Sequence, residues 1–198
     1  MHSLRIRAKL VRFAQGELKH FREEALRASL EERERHSVAI LVRLNTAWEH
    51  YVRAIILDAA RWRTQKGGSN LVPKGSSQSR AAHILVTTYP KRRTEPDWYL
   101  PRDALDAANR LNLPSRSDIS LVLGLSPWPL EALRLCRNFQ VHKSYSSVSK
   151  LKVALPDYFP GYSNDSAAFL LRPVRGNDQI GHWVDRMEYL SAQLSAAV

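Results

Sequence analysis

The run from Val38 to Trp62 constrains this chain more than any other feature. Val38, Leu41, Val42, Trp48, Val52, Ile55, Ile56, Ala59 and Trp62 recur at helical intervals, with basic residues opposite them. That period belongs to a helix with one apolar stripe, here about seven turns long. Such a stripe must be covered along its whole length, and other helices are the natural cover. Ser29 followed by Glu32 forms a capping box that starts this helix, and the glycines of "KGGSN" end it.

The remaining segments repeat the theme. Residues 3–28 carry Leu4, Val11, Leu18, Phe21 and Leu26 in helical spacing among charges. The Gly- and Ser-rich stretch 67–80 reads as a loop, and "AAHILVTTYP" (81–90) suits a strand or a short helix equally. Pro101 opens a short helix through "RDALDAANRL", and "SDISLVLG" supplies another. From Ser126 as N-cap and Pro127 at the first position, a helix is expected to run to about residue 152. "PDYFPGYSNDS" is loop, and "DQIGHWVDRMEYLSAQL" forms a final amphipathic helix. The expectation is an all-α antiparallel helical bundle with extra short helices and a C-terminal helix. Residues 1–152 form the bundle, and residues 153–198 are an extension packed on the same domain.

Charge narrows the class of partner. The chain has 30 Lys and Arg against 19 Asp and Glu, a formal charge of +11. Such an excess favours polyanions, nucleic acid before an anionic membrane surface. Most of the cations are Arg, whose planar fork of donors suits phosphate. One cysteine, Cys136, excludes an intrachain disulfide framework and any cysteine-based zinc site. That cysteine count makes the cytosol the simplest compartment, and no apolar run reaches the ~20 residues of a membrane span. The opening "MHSLRIRAKLVRF" has the basic, acid-free character of a presequence but runs into "ELKHFREEALRASL" without a small-residue cleavage signal. An ordinary first helix is expected.

The stretch "RLCRNFQVHKS" (134–144) holds a guanidinium, an amide and an imidazole close together among apolar residues. An Arg separated from a His by four to six residues is weak evidence alone. Arg43 and His50, Arg137 and His142, and Arg175 and His182 all have that spacing. Context separates them: Leu44 follows Arg43, Gly176 follows Arg175, and only Arg137 is followed by a polar amide, Asn138. With "RNFQVH" late in a helical chain, residues 1–152 resemble the HEPN family (higher eukaryotes and prokaryotes nucleotide-binding domain). The signature of that family is Arg, commonly followed by Asn, Asp or His, and then a His after four to six residues.

That resemblance implies metal-independent endoribonuclease chemistry without a cofactor, in which the 2′-hydroxyl attacks the adjacent phosphate. A 2′,3′-cyclic phosphate and a 5′-hydroxyl result. His142 serves as general base or acid, because histidine changes charge near neutral pH. Arg137 holds the non-bridging oxygens, and Asn138 positions the phosphate or orients the imidazole. Arg134 and Lys143 flank the motif as candidate contacts to the RNA backbone. Asn45 interrupts the apolar stripe and Glu49 lies beside Trp48, so both are candidate supporting residues. Trp48, Tyr51 and His182 read as structural.

Geometry adds a condition. Five residues of regular helix leave Arg137 and His142 about 140° apart. Either the helix breaks near Asn138, or two copies of the motif share a site across a two-fold axis, as members of the family do. A homodimer with the motif at its interface is therefore expected. Proteins of this kind act as toxins or effectors in prokaryotic toxin–antitoxin or antiviral defence systems, which implies a restraining antitoxin or a defence partner.

Two bland readings stay open on the residues alone: Arg137 capping a buried acid, and His142 favoured by a helix C-terminal dipole. So do two other functions. One is a non-catalytic module for dimerisation or for nucleotide or protein binding. The other is a basic helical nucleic-acid-binding protein.

Overall fold

The computed structural model describes residues 2–62, 71–88, 94–125, 128–142, 145–155 and 166–198. Among these the chain is all-α, with nine helices and one two-stranded hairpin. The helices are α1 (His2–Arg27), α2 (Leu30–Trp62), α3 (Gln78–Thr87), α4 (Pro101–Arg110) and α5 (Arg116–Leu123), followed by α6 (Glu131–His142), α7 (Tyr145–Ala154), α8 (Ser166–Leu170) and α9 (Gln179–Ala197). Strands β1 (Pro173–Val174) and β2 (Asn177–Asp178) pair antiparallel between α8 and α9. No helix among the described residues is long and apolar enough to cross a membrane.

The chain divides into two compact units. One comprises residues 1–10, 48–126 and 190–198, and the other comprises 11–47 and 127–189.

In the first unit, the C-terminal half of α2 buries Trp48, Tyr51, Val52, Ile55, Ile56 and Leu57. Burial of each large side chain is worth about 1.5–3 kcal/mol over exposure. The Tyr51 hydroxyl donates to the Ser191 carbonyl at 2.7 Å and lies 3.0 Å from Ser195 Oγ, tying α2 to the end of α9. Trp62, the last residue of the expected stripe, is half exposed instead, with the Arg61 guanidinium 5.5 Å from its ring centroid. The glycines expected to end α2 lie outside the described residues.

The ambiguous segment 81–90 is helical as far as Thr87, and α3 starts three residues inside the expected loop. Ser77 causes this: its hydroxyl accepts from the Arg80 backbone N–H at 3.1 Å, an N-cap that makes Gln78–Arg80 the first turn. Pro101 opens α4 as expected. Asn112 follows α4 with φ of 52°, and Leu113 N–H bonds back to the Ala108 carbonyl at 3.0 Å, a left-handed C-terminal stop.

In the second unit, two residues join α1 to α2. Ser29 and Glu32 form the expected capping box: Glu32 Oε2 accepts from Ser29 N at 2.8 Å and from Ser29 Oγ at 2.7 Å. Those bonds hold the Glu32 carboxyl below its ordinary range. So short a link makes the two helices antiparallel neighbours, and Arg43 of α2 reaches back to Glu17 of α1 at 3.0 Å. On α1, Leu18 and Phe21 of the stripe read from sequence are buried, together with Leu10, Ala14 and Ala25, whereas Val11 is half buried and Leu4 is 57% exposed.

The single helix expected to reach residue 152 is two helices, α6 and α7, lying against each other. One unbroken rod could not make that contact. The expected cap at Ser126 and Pro127, and the loop "PDYFPGYSND" (156–165), lie outside the described residues.

Candidate functional site

The polar cluster lies on α6, in the second unit. Leu133, Leu135, Cys136 and Gln140 form its buried side. Arg137 sits one turn from Leu133 and is therefore half buried, while His142 closes the helix in an exposed position. The helix runs without interruption through Asn138. Of the two conditions set by the spacing, a break is thus absent, and within one chain Arg137 and His142 point about 140° apart.

Arg137 and Asn138 are brought together directly. Arg137 Nη1 donates to Asn138 Oδ1 at 2.8 Å, which fixes the guanidinium plane beside the amide. Arg137 Nε is buried and has no hydrogen-bond partner among the described residues. None of the described carboxylates forms an ion pair with Arg137. The reading in which Arg137 caps a buried acid therefore finds no acid among the described residues.

Its neighbours differ. Arg134 is clamped by Glu131, with Nε donating to Oε2 at 2.8 Å and Nη2 to Oε1, and its side chain is only 19% exposed. Its charge is offset locally, which weakens the case for it as a backbone contact. Arg43, in the second pair of that spacing, is held by Glu17. Arg175, in the third, lies in the β1–β2 turn with φ of 50°. Lys143 lies outside the described residues.

The supporting candidates divide. Asn45 is buried on α2 in the same unit as α6, yet among the described residues no hydrogen bond joins it to Arg137, Asn138 or His142. Glu49 belongs to the other unit. Trp48 and Tyr51 are buried with ring centroids 5.5 Å apart, so both are core, and burial pushes the Tyr51 hydroxyl up to about 12. Cys136 is buried, and desolvation drives its thiol far up against the pull of Arg172, leaving no nucleophile there. Burial lowers His182, and the Arg186 and Arg175 charges lower it further. Among the described residues no group of three or more His, Cys, Asp or Glu is arranged to hold a metal ion.

A polar constellation that sequence reading missed lies in the same unit. Arg22 Nε donates to Asp178 Oδ2 at 2.7 Å, and its Nη2 donates to Asp178 Oδ1 at 2.9 Å and to Asn177 Oδ1 at 2.7 Å. Asp178 Oδ1 also accepts from the Gly181 backbone N–H at 2.7 Å, so it caps α9. The hydrogen bond to Asp178 raises Arg22 above its ordinary value. The local signal was Asp178 three residues before Gly181 at a helix start; nothing nearby in sequence pointed to Arg22.

Comparison with known proteins finds no match to a family model, to a curated protein or to a solved structure.

Proposed function

We propose that this chain is a metal-independent endoribonuclease of the HEPN type, with Arg137, Asn138 and His142 as its reacting centre. The observation that carries the reading is Arg137: a half-buried guanidinium, locked by Asn138, with no described carboxylate to neutralise it and a buried Nε without an acceptor. Leaving such a donor unmet costs about 1–3 kcal/mol. A fold tolerates that cost where the group awaits an anion, and the non-bridging oxygens of a phosphodiester fit the guanidinium fork.

In this reading the RNA 2′-oxygen attacks phosphorus while its proton leaves, and the bond to the 5′-oxygen breaks as that oxygen gains a proton. The products are a 2′,3′-cyclic phosphate and a 5′-hydroxyl. Arg137 stabilises the charge on the pentacoordinate phosphorus, and His142 moves one of the two protons. Because α6 is unbroken, Arg137 of one protomer works with His142 of a second across a two-fold axis. The preferred RNA is single-stranded or looped, where an unstacked nucleotide can align for in-line attack. A toxin or defence effector restrained by a partner protein is the setting that the HEPN resemblance implies.

The test is total RNA incubated in EDTA with wild-type protein, Arg137→Ala and His142→Ala, each checked for helicity by circular dichroism. Cutting by the wild type alone, with cyclic phosphate ends, supports the reading. Equal cutting by the folded variants, or none by the wild type, removes it and favours a non-catalytic binding module.

A further inference from the structure

The outward face of α1 has chemistry of its own. At 100° per residue, Arg5, Lys9, Arg12, Gly16 and Lys19 fall within a sector of about 80°. All five are exposed, while the opposite side of the helix is buried. The row of cations extends over roughly 21 Å. No acid occurs in α1 before Glu17; Glu17 is turned to Arg43, and Glu23 lies 3.9 Å from Lys19 in an exposed pair that a phosphate can replace.

Gly16 stands in the middle of this row. Glycine inside a helix is less favourable than any residue but proline, and a close neighbour or a left-handed backbone normally explains it. Neither applies here. A Cβ at Gly16 would meet nothing within 4 Å, and the residue is helical. The missing side chain serves nothing within the described chain; it leaves helix backbone bare between Arg12 and Lys19.

We infer that this face of α1 is a docking surface for the phosphodiester backbone of an RNA strand. Arg5, Lys9, Arg12 and Lys19 meet phosphates, and Gly16 lets the strand lie close to the helix. A lipid surface fits less well. Leu4 and Phe13, 57% and 41% exposed, flank the row about 180° apart and form no apolar strip that could enter a bilayer. The choice of RNA over DNA rests on the proposed function, whereas the surface itself does not.

The experiment measures anisotropy of a labelled, single-stranded 2′-O-methyl RNA, which lacks the attacking hydroxyl and so separates binding from cleavage. Arg5→Gln/Lys9→Gln/Lys19→Gln should weaken binding about tenfold or more and reduce the salt slope by about 2, the loss expected for three phosphate contacts to a single strand. Gly16→Leu should weaken binding while raising the melting temperature, an effect that charge alone does not produce. Unchanged affinity in both variants overturns the surface. So does binding to phosphatidylserine vesicles that is lost in the triple variant while RNA affinity is kept. Binding through α1 without cleavage of ordinary RNA retains the surface and removes the nuclease reading. Cleavage with unchanged binding in both variants does the reverse.

Discussion

Arg22 and Asp178, 156 residues apart in sequence, are joined by two hydrogen bonds of 2.7 and 2.9 Å. The same carboxylate caps the first turn of α9 through Gly181 N–H. One side chain thus closes a helix end and fastens it to α1. Asp178→Ala should cost about 2–3 kcal/mol, combining a lost cap with lost charge-assisted bonds. Urea unfolding measures it; a loss below that of breaking the exposed Lys19–Glu23 pair, at most about 1 kcal/mol, would contradict the assignment.

Two helical glycines should respond in opposite directions. A Cβ at Gly181 would lie 2.6 Å from Arg22 Nη2 and collide with Asn177 Oδ1, whereas one at Gly16 meets nothing within 4 Å. Gly181→Ala should therefore destabilise by about 1–3 kcal/mol, the range for overpacking. Gly16→Ala should stabilise by up to about 1 kcal/mol. Thermal unfolding of both variants decides it, and a shared sign would refute the contrast.

The Arg53–Glu95 pair predicts a pH dependence. Arg53 donates to both Glu95 oxygens, at 2.6 and 2.8 Å, and Trp98 Nε1 donates at 3.0 Å. The bonds from Arg53 lower the Glu95 carboxyl below its ordinary value; burial opposes them and Trp98 assists. A lowered folded value means stability that is present in full above the unfolded carboxylate range, near 4.3, and lost as pH falls through the folded value. Glu95→Gln should therefore lower the melting temperature at pH 7, and the gap from wild type should close below about pH 4. A gap independent of pH would show that the carboxylate charge is not responsible.

Subunit mixing tests the shared centre. Arg137→Ala and His142→Ala homodimers should each lose about 10²-fold or more of cleavage rate. A mixed dimer has one site lacking both groups and one site intact, and random pairing makes about half of the dimers mixed, so co-refolded variants should recover about a quarter of wild-type activity, the complementation expected of a two-fold interface. No recovery, with mixed dimers verified by mass, would place both groups of a site in one chain.

Much of the fold was legible because it is local. The stripe on α2, the Ser29–Glu32 capping box and Pro101 at the start of α4 all act within a few residues. Each is encoded by the three-to-four-residue periodicity of helical neighbours. The association of Arg137 with Asn138 was legible for the same reason, since the two are adjacent.

Tertiary structure decided what depends on distant segments. Two-residue strands at Pro173–Val174 and Asn177–Asp178 have no periodicity to read, and their turn requires positive φ at Arg175 as well as Gly176. The division between α6 and α7 follows from their packing on each other, and the Arg22–Asp178 clamp from a fold that brings residue 178 to residue 22. The sequence by itself determined α1, α2, α4, α5 and α9 and the polar residues on α6. Only tertiary structure decided which charges are neutralised, because a salt bridge depends on separation in space: Arg134 and Arg43 received carboxylates, and among the described residues Arg137 did not.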